Sequence, residues 1–166
     1  NRIMNPHTAT FIKLVKHPVK FRMFLFFKLP AAYISGVRVR EIDEKHCITS
    51  VPFKWLSQNP FRSTYFACLS MAAELSTGAL AMAHLYKSNP AISMLVVKVE
   101  SEYFKKAIGR TKFLCEDGQL FQKAVEEAIA TGEAVTVNAK SVGKDSDGAT
   151  VAVFTITWSL KAKSRK

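Results

Sequence analysis

The feature that most restricts the fold of this chain is an almost uncharged segment at residues 63–85, STYFACLSMAAELSTGALAMAHL. At about 1.5 Å per residue it is long enough to cross a bilayer, but it carries one carboxylate, Glu74, near its middle. In a lipid-facing helix that carboxylate costs about 2.5 kcal/mol or more, and the sequence has no second apolar span to pair with it. The segment is therefore predicted to be a helix buried inside a protein, apolar on nearly every side.

Small side chains dominate the same segment. They are Ala67, Cys68, Ser70, Ala72, Ala73, Ser76, Thr77, Gly78, Ala79, Ala81 and Ala83. Small side chains let surrounding backbone approach closely on several sides, as a sheet wrapped round the helix requires. Gly78 costs about 1 kcal/mol of helix propensity relative to Ala, so we expect a packing reason for it.

The rest of the chain alternates between strand and helix patterns. Strands are predicted at 33–42, 45–53, 92–105, 110–116, 133–143 and 149–161, with helices at 8–28 (broken at Pro18), 63–86 and 119–131. Six strands with antiparallel connections and one long helix after the second strand predict an α+β domain.

The chain has 166 residues, the size of one ordinary domain, and a formal net charge of +11. Residues 1–40 hold eight basic residues and no acid, and the last six residues hold four more basic ones. We therefore divide the chain into a basic N-terminal helical segment (1–29), a domain (30–161) whose balance is close to neutral, and a basic tail (162–166).

The basic ends leave several partners open. The N-terminal helix is expected to pack its apolar face on the domain, and a weak membrane-surface contact through it is the alternative. A basic adaptor for a membrane or nucleic acid is a remoter alternative; we expect no nucleic-acid partner, because neither a glycine-aromatic RNA motif nor a DNA-reading helix is evident.

Cysteine and histidine usage restricts the chemistry. Cys47, Cys68 and Cys115 are widely spaced and form no C-x-x-C pair, which favours a reduced, cytoplasmic setting over a disulfide framework or zinc site. The four histidines lie too far apart to form a local metal motif, so no metal is expected.

Glu74 is the candidate functional residue of the buried helix. A carboxylate there is rarely tolerated unless it is paired or functional, and desolvation should raise its pKa toward neutrality, where a general base is useful. The alternative is a structural carboxylate in an oligomer interface, bonded to a Ser, Thr or backbone donor.

The stretch NPFRSTYFACLSMAAELSTGAL resembles the hotdog fold, in which a curved six-stranded antiparallel sheet wraps one long central helix. Over residues 30–161 the chain is similar to acyl-CoA thioesterases of the phenylacetic-acid-degradation type, and most similar to their relatives, the family called domain of unknown function 4442. The resemblance implies an acyl-CoA or related thioester as substrate, with coenzyme A as part of that substrate and no other cofactor.

The resemblance also implies site residues. The family pattern has a loop Asn, a His-Gly-Gly at the start of the helix six residues later, and a carboxylate nine residues after the His. Asn59 and Glu74 match the loop Asn and the carboxylate, whereas Tyr65-Phe66-Ala67 replaces His-Gly-Gly. By this resemblance the backbone N–H of Ala67 polarises the thioester carbonyl, and Glu74 acts as base or nucleophile.

Neighbouring residues are assigned lesser roles. Tyr65 and Phe66 are expected to line an acyl channel, and Asn59 either binds substrate or caps its loop. Ser63 is a candidate for substrate binding or for the helix N-cap, and Thr77 for bonding Glu74 or a water. Candidates for the coenzyme A phosphates are Arg62, Lys105, Lys106 and Arg110, while His84 is expected to be a helix-end histidine.

Helix geometry predicts the oligomer. Ala67 and Glu74 are seven residues apart, about 10.5 Å along one helix axis, so one carbonyl has difficulty meeting both in a single chain. We therefore expect a homodimer or dimer of dimers, with the helix start of one copy and Glu74 of the other in each site. A non-catalytic acyl- or acyl-CoA-binding module of the same fold is the alternative function.

Overall fold

The computed structural model describes residues 5–163 as five α-helices, six strands and one short 3-10 helix. The helices are α1 (Thr8–Lys16), α2 (Pro18–Lys28), α3 (Pro30–Ile34), α4 (Phe66–Leu85) and α5 (Gly118–Thr131), and the 3-10 helix is Trp55–Ser57. The strands are β1 (Arg38–Ile42), β2 (Cys47–Val51), β3 (Ile92–Tyr103), β4 (Thr111–Cys115), β5 (Ala134–Lys144) and β6 (Thr150–Ala162).

All six strands form one antiparallel sheet in the order β1-β2-β4-β5-β6-β3. The central helix α4 packs against β1, β2, β4, β5 and β6, and α5 covers β5 and β6 beside it. The α+β architecture predicted from the sequence, a six-stranded antiparallel sheet around one long helix, is confirmed.

Burial explains the apolar composition of α4. Ala72, Ala73 and Ala81 are fully buried, and the Thr49 hydroxyl of β2 donates to the Ala72 carbonyl at 2.6 Å. By length and composition alone α4 could cross a membrane, but 67% of its most apolar window is buried inside this domain. A sheet this close to the helix backbone requires the small side chains that the sequence supplies.

The first predicted strand, 33–42, is wrong over its first half. Residues 30–34 form α3 instead, because Pro30 has the fixed φ that suits the first turn of a helix. Gly36 then adopts a left-handed φ of 84°, and a Cβ there would lie 2.8 Å from Cγ of Pro52. The chain therefore enters the sheet only at Arg38.

The predicted break at Pro18 is confirmed, and it separates α1 from α2. Pro18 occupies the first turn of α2, and the His17 side chain caps that turn by accepting from the Lys20 backbone N–H at 3.3 Å. Both helices bury apolar side chains in the common core, Phe11 in α1 and Leu25 in α2. The N-terminal helices thus pack on the domain as the sequence predicted.

Close packing at the start of α5 generates a stability prediction. A Cβ on Gly118 would lie 2.1 Å from the Glu44 carbonyl oxygen and 2.7 Å from the Lys45 Cα, so the backbone of the β1–β2 turn would have to move. Gly118→Ala is expected to lower the free energy of unfolding by about 1–3 kcal/mol, measured by urea denaturation.

Gly109→Ala is the matched control. No atom lies within 4 Å of a Cβ built on Gly109, so this variant should stay within about 1 kcal/mol of the native protein. Equal stability of the two variants would contradict the packing described for the start of α5.

Candidate functional site

Glu74 lies half-buried on the wall of an apolar cavity of about 270 Å³. The cavity runs between α4 and the N-terminal helices, and its floor includes β3 and β6. Its other lining residues are Phe11, Phe21, Phe24, Lys28, Leu29, Leu75, Gly78, Ala79, Met82, Met94 and Trp158. A carboxylate is thus placed where an apolar ligand of modest size would fit.

Gly78 lies beside both the carboxylate of Glu74 and the ring of Trp158. A Cβ on Gly78 would lie 3.3 Å from Oε1 of Glu74 and 3.3 Å from Cζ2 of Trp158. Because Gly78 follows Glu74 by four residues, one helical turn, a side chain there would crowd both groups. This contact is the packing reason expected for the glycine.

A hydrogen-bond chain fixes Trp158 in this position. Its indole Nε1–H donates to Oγ1 of Thr77 at 2.9 Å, and that hydroxyl donates to the backbone carbonyl of Glu74 at 2.9 Å. Thr77 is fully buried, so it does not line the cavity. The Thr77 hydroxyl thus bonds the backbone of Glu74 and the ring of Trp158, and makes no hydrogen bond to the Glu74 carboxylate.

Burial raises the pKa of the Glu74 carboxyl above its ordinary value, as the sequence predicted. Within residues 5–163 no Lys, Arg or His forms an ion pair with it, although Lys28 lines the same cavity. The charged form thus has no ion-pair partner among these residues. The carboxylate is available as a proton acceptor once it is ionised.

The loop before α4 is organised by Asn59. Its Oδ1 accepts from the backbone N–H of Phe61 at 3.0 Å and of Ser63 at 3.2 Å, and from the Ser63 hydroxyl at 3.2 Å. Its Nδ2 donates to the Thr64 carbonyl at 3.5 Å. Of the two roles left open for Asn59, these contacts favour that of holding the loop.

Helix α4 begins at Phe66, with Tyr65 as N-cap residue and without a side-chain cap. The prediction of Ser63 as N-cap is wrong, because the chain makes one further bridge, Gln58 with Thr64, before it turns into the helix. The Tyr65 carbonyl accepts from Cys68 and Leu69, whereas the N–H groups of Phe66 and Ala67 donate to no backbone or side-chain acceptor of residues 5–163. These two N–H groups lie at the positive end of a 20-residue helix, where backbone donors can bind an anion.

The two halves of the predicted site lie apart in one protomer. Tyr65 and Phe66 are exposed by 45% and 56%, pack edge-on at 5.0 Å, and do not line the Glu74 cavity. Ala67 is about 10.5 Å from Glu74 along the axis of α4. The structure thus places Asn59, Ser63, Tyr65, Phe66 and Ala67 at the start of α4, and Glu74 two turns further on.

Three of the four candidate phosphate ligands have different surroundings. Lys105 pairs with Asp145, and Lys106 donates to the Phe61 carbonyl at 3.3 Å near the start of α4. Arg110 lines a second cavity together with Arg40. His84 lies in the last turn of α4 as expected, with Nε2 at 2.9 Å from the Glu44 carbonyl, and burial lowers its pKa.

Trp158 and the residues of α2 are the site components that sequence reasoning did not assign. The alternation of β6 does place Trp158 on the face shared with Phe154 and Ile156, which predicts burial but not a place in the Glu74 cavity. Phe24 and Lys28 of α2 line the same cavity as Glu74 of α4. Within the described chain no group of His, Cys, Asp and Glu has the arrangement of a metal site.

Solved structures share this fold over nearly their whole length. A protein of unknown function from Pseudomonas aeruginosa, described as a probable thioesterase, is 18% identical with a TM-score of 0.71, over 98% of this chain and 100% of that one. A protein of unknown function from Chlorobaculum tepidum is 14% identical with a TM-score of 0.73, over 87% of this chain and 93% of that one. A thioesterase from Haemophilus influenzae is 9% identical with a TM-score of 0.64, over 86% and 89%.

These similarities establish the hotdog fold and, at such low identity, the fold alone. No curated protein matches the chain. One family model, described as domain of unknown function 4442, matches residues 19–160, which include α4, the first five strands and all but the last two residues of β6. By this match over most of its length, the chain belongs to the family of domain of unknown function 4442.

Proposed function

We propose that this protein hydrolyses an acyl thioester, with an acyl-CoA as the substrate class. One observation carries the proposal: a carboxylate whose pKa is raised by burial, Glu74, lies on the wall of an apolar cavity. The cavity suits an acyl chain, and the raised pKa brings the carboxyl closer to the neutral range in which a general base is effective. The hotdog fold shared with solved thioesterases supports the same reaction.

In the proposed reaction, ionised Glu74 takes a proton from water as the water oxygen bonds to the thioester carbonyl carbon. The negative charge that develops on the carbonyl oxygen is stabilised by backbone N–H groups at the start of α4. The carbon–sulfur bond then breaks, the carbonyl re-forms as the acid, and the thiolate takes up the proton. Direct attack by the carboxylate, through an anhydride that water hydrolyses, remains the other proposed route.

Each site is proposed to form between two copies of the chain. The Ala67 N–H and the Glu74 carboxylate lie about 10.5 Å apart along one helix, too far to act on one carbonyl carbon and oxygen. A two-fold axis that sets two α4 helices antiparallel would bring the helix start of one copy beside Glu74 of the other.

The surface of the chain supports such a dimer. β3 is a 12-residue strand at the end of the sheet, paired with β6 on one side and with no strand of residues 5–163 on the other. Its Leu95, Val97 and Val99 are exposed, as are Tyr65 and Phe66 at the start of α4. A long apolar edge strand promotes association unless another strand or chain covers it.

A non-catalytic acyl-CoA-binding module is the second candidate. It is favoured by Tyr65-Phe66-Ala67 in place of His-Gly-Gly, because the exposed rings of Tyr65 and Phe66 lie next to the N–H groups that would bind the carbonyl oxygen. In such a module the cavity holds the acyl chain, and Glu74 has no proton to transfer.

The first test is free-thiol release from a panel of short-, medium-, long-chain and aryl-acyl-CoAs. We expect turnover by the native protein and a loss of at least about 10²-fold in kcat/KM for Glu74→Gln, because the amide cannot accept the proton. Glu127→Gln makes the same change at an exposed position of α5 and should retain full turnover.

Binding measurements by calorimetry separate the two candidates. Acyl-CoA binding without turnover, and unchanged in Glu74→Gln, would assign the binding module. Turnover that survives Glu74→Gln would contradict the proposed site while leaving a hydrolase.

A second prediction concerns the shared site. Glu74→Gln and Ala67→Pro should each be inactive alone, the second because proline has no N–H, and proline is tolerated in the first turn of a helix. Co-expressed, they form mixed dimers in which one of the two sites is intact, so about a quarter of native activity should return.

Two controls fix the interpretation of that experiment. Ala67→Gly keeps the N–H and should stay active, and Glu74→Gln co-expressed with the double variant contains no intact site and should stay inactive. Inactive mixtures, with mixed dimers verified by mass spectrometry, would show that the site lies within one protomer.

A third prediction follows from the raised pKa of Glu74. Below the ordinary carboxyl pKa of 4.5 the group is neutral in the folded and unfolded chain, and native protein and Glu74→Gln should be about equally stable. As the pH rises through the higher folded-state pKa, the native protein must bury an uncompensated charge and loses stability, whereas Glu74→Gln does not. Glu74→Gln is therefore expected to be the more stable protein at pH 8.

Urea unfolding of both proteins from pH 4 to pH 8 measures this difference. For Glu127→Gln, at an exposed site, the free energy of unfolding relative to the native protein should not rise with pH in this way. If Glu74→Gln raises the free energy of unfolding by the same amount at pH 4 and pH 8, the buried-charge explanation is contradicted.

A further inference from the structure

Helix α2 is apolar on the face that points away from the protein. It buries Phe21 and Leu25, yet Val19, Met23, Phe26 and Phe27 are exposed by 59%, 54%, 51% and 69%. Their spacing places these four side chains together on the outer face of the helix. A surface helix normally presents polar residues to water, and a contiguous exposed apolar face indicates a binding surface.

The region that carries this face is uniformly basic. Between residues 5 and 40 the chain has seven Lys and Arg residues and no Asp or Glu. They are Lys13, Lys16, Lys20, Arg22, Lys28, Arg38 and Arg40. The outer face of α2 is therefore an apolar patch inside a field of positive charge.

A basic cavity of about 500 Å³ lies between α2 and β1. Arg22 of α2 lines it together with Arg38 and Arg40 of β1 and with Arg110, and Glu41 is the one carboxylate among its lining residues. Within residues 5–163 none of these four arginines forms an ion pair. Four guanidinium groups around one cavity are suited to bind phosphate, for which their planar donors are matched.

The arginines repel one another across this cavity. Burial lowers the pKa of Arg38, with Arg22 and Arg40 adding to that shift, and burial followed by the charge of Arg110 lowers the pKa of Arg40. The Arg38 guanidinium is held there by the Val37 carbonyl at 2.7 Å and by the Tyr33 ring, whose centroid is 4.7 Å away. A bound anion would relieve this repulsion.

We propose that the outer face of α2, together with the basic cavity beside it, docks on an anionic lipid bilayer. Val19, Met23, Phe26 and Phe27 enter the boundary between headgroups and acyl chains, while the cavity arginines bind lipid phosphates. Charge selects this occupant over a second copy of the chain, because a two-fold contact through α2 would press two basic surfaces together.

The docked geometry has a consequence for the Glu74 cavity. Phe24, Lys28 and Leu29, all on or directly after α2, line that cavity as well, so docking places it next to the lipid surface. The residues proposed to contact the bilayer differ from those proposed to hydrolyse the thioester. The docking proposal therefore does not depend on that reaction.

Vesicle co-sedimentation of the full chain tests the proposal. We expect binding to vesicles of phosphatidylcholine mixed with phosphatidylglycerol, little binding to phosphatidylcholine alone, and weaker binding as salt rises. The double variant Met23→Ser/Phe27→Ser should lower the partition coefficient about tenfold, because it removes two side chains that insert. Arg22→Gln and Arg40→Gln should each lower it about fivefold.

Leu120→Ser and Lys123→Gln on α5 are the matched controls, since they change an exposed apolar and a basic residue on another helix. Both should bind vesicles as the native protein does. Equal binding to neutral and anionic vesicles, or unchanged binding by the α2 variants, would overturn the proposal. Dissociation of a native oligomer by Met23→Ser/Phe27→Ser, seen by analytical ultracentrifugation, would assign the face to a second copy instead.

Discussion

The close approach of the sheet to α4 is the constraint on which the rest of this structure depends. At Ala72 the helix backbone is near enough for the Thr49 hydroxyl of β2 to reach its carbonyl at 2.6 Å, and at Ser76 the two hydroxyls of Ser76 and Ser141 meet at 2.7 Å. Contacts this short leave room for Ala, Ser, Thr and Gly, and for few larger side chains. The small side chains of α4 therefore allow the sheet to wrap it, and a helix long and apolar enough to cross a membrane is mostly buried in the core of this domain.

Glu74 departs from that pattern at one point on the helix. It lines the cavity between α4 and α2, where Gly78 leaves room for its carboxylate and Trp158 is another lining residue. A half-buried carboxylate that has no ion-pair partner among residues 5–163 costs stability. Thr77 bonds the Glu74 carbonyl and Trp158 and makes no hydrogen bond to the carboxylate.

The chain has two exposed apolar surfaces, one on β3 and the start of α4 and the other on the outer face of α2. The charges around them differ, and this difference favours a different partner for each surface. The surface of β3 and the start of α4 belongs to the part of the chain whose charges nearly balance, which suits contact with an identical copy. The outer face of α2 lies in a segment with basic residues alone, which suits a partner of opposite charge. The Glu74 cavity lies between α2 and α4, so both partners would act on the same cavity from different sides.

The sequence by itself determined that α4 is a buried central helix, because an apolar run of small side chains with one charge has few stable environments. It also predicted all six strands from their alternation, the break at Pro18, and Glu74 as the residue with the raised pKa. It missed α3, where the fixed φ of Pro30 outweighed a strand pattern that begins at Tyr33, and it misplaced the helix N-cap at Ser63. Both errors are local, and each was decided by backbone geometry that the hydrophobic pattern does not record.

Only the tertiary structure decided what surrounds Glu74. Trp158 is 84 residues away in the chain, and Phe24 precedes Glu74 by 50, so no local pattern relates them to the carboxylate. Their places in one cavity depend on the register of β6 beside β3 and on the position of α2 across the cavity from α4. The cavity exists because long-range packing brings these elements together, whereas the helix it borders follows from composition alone.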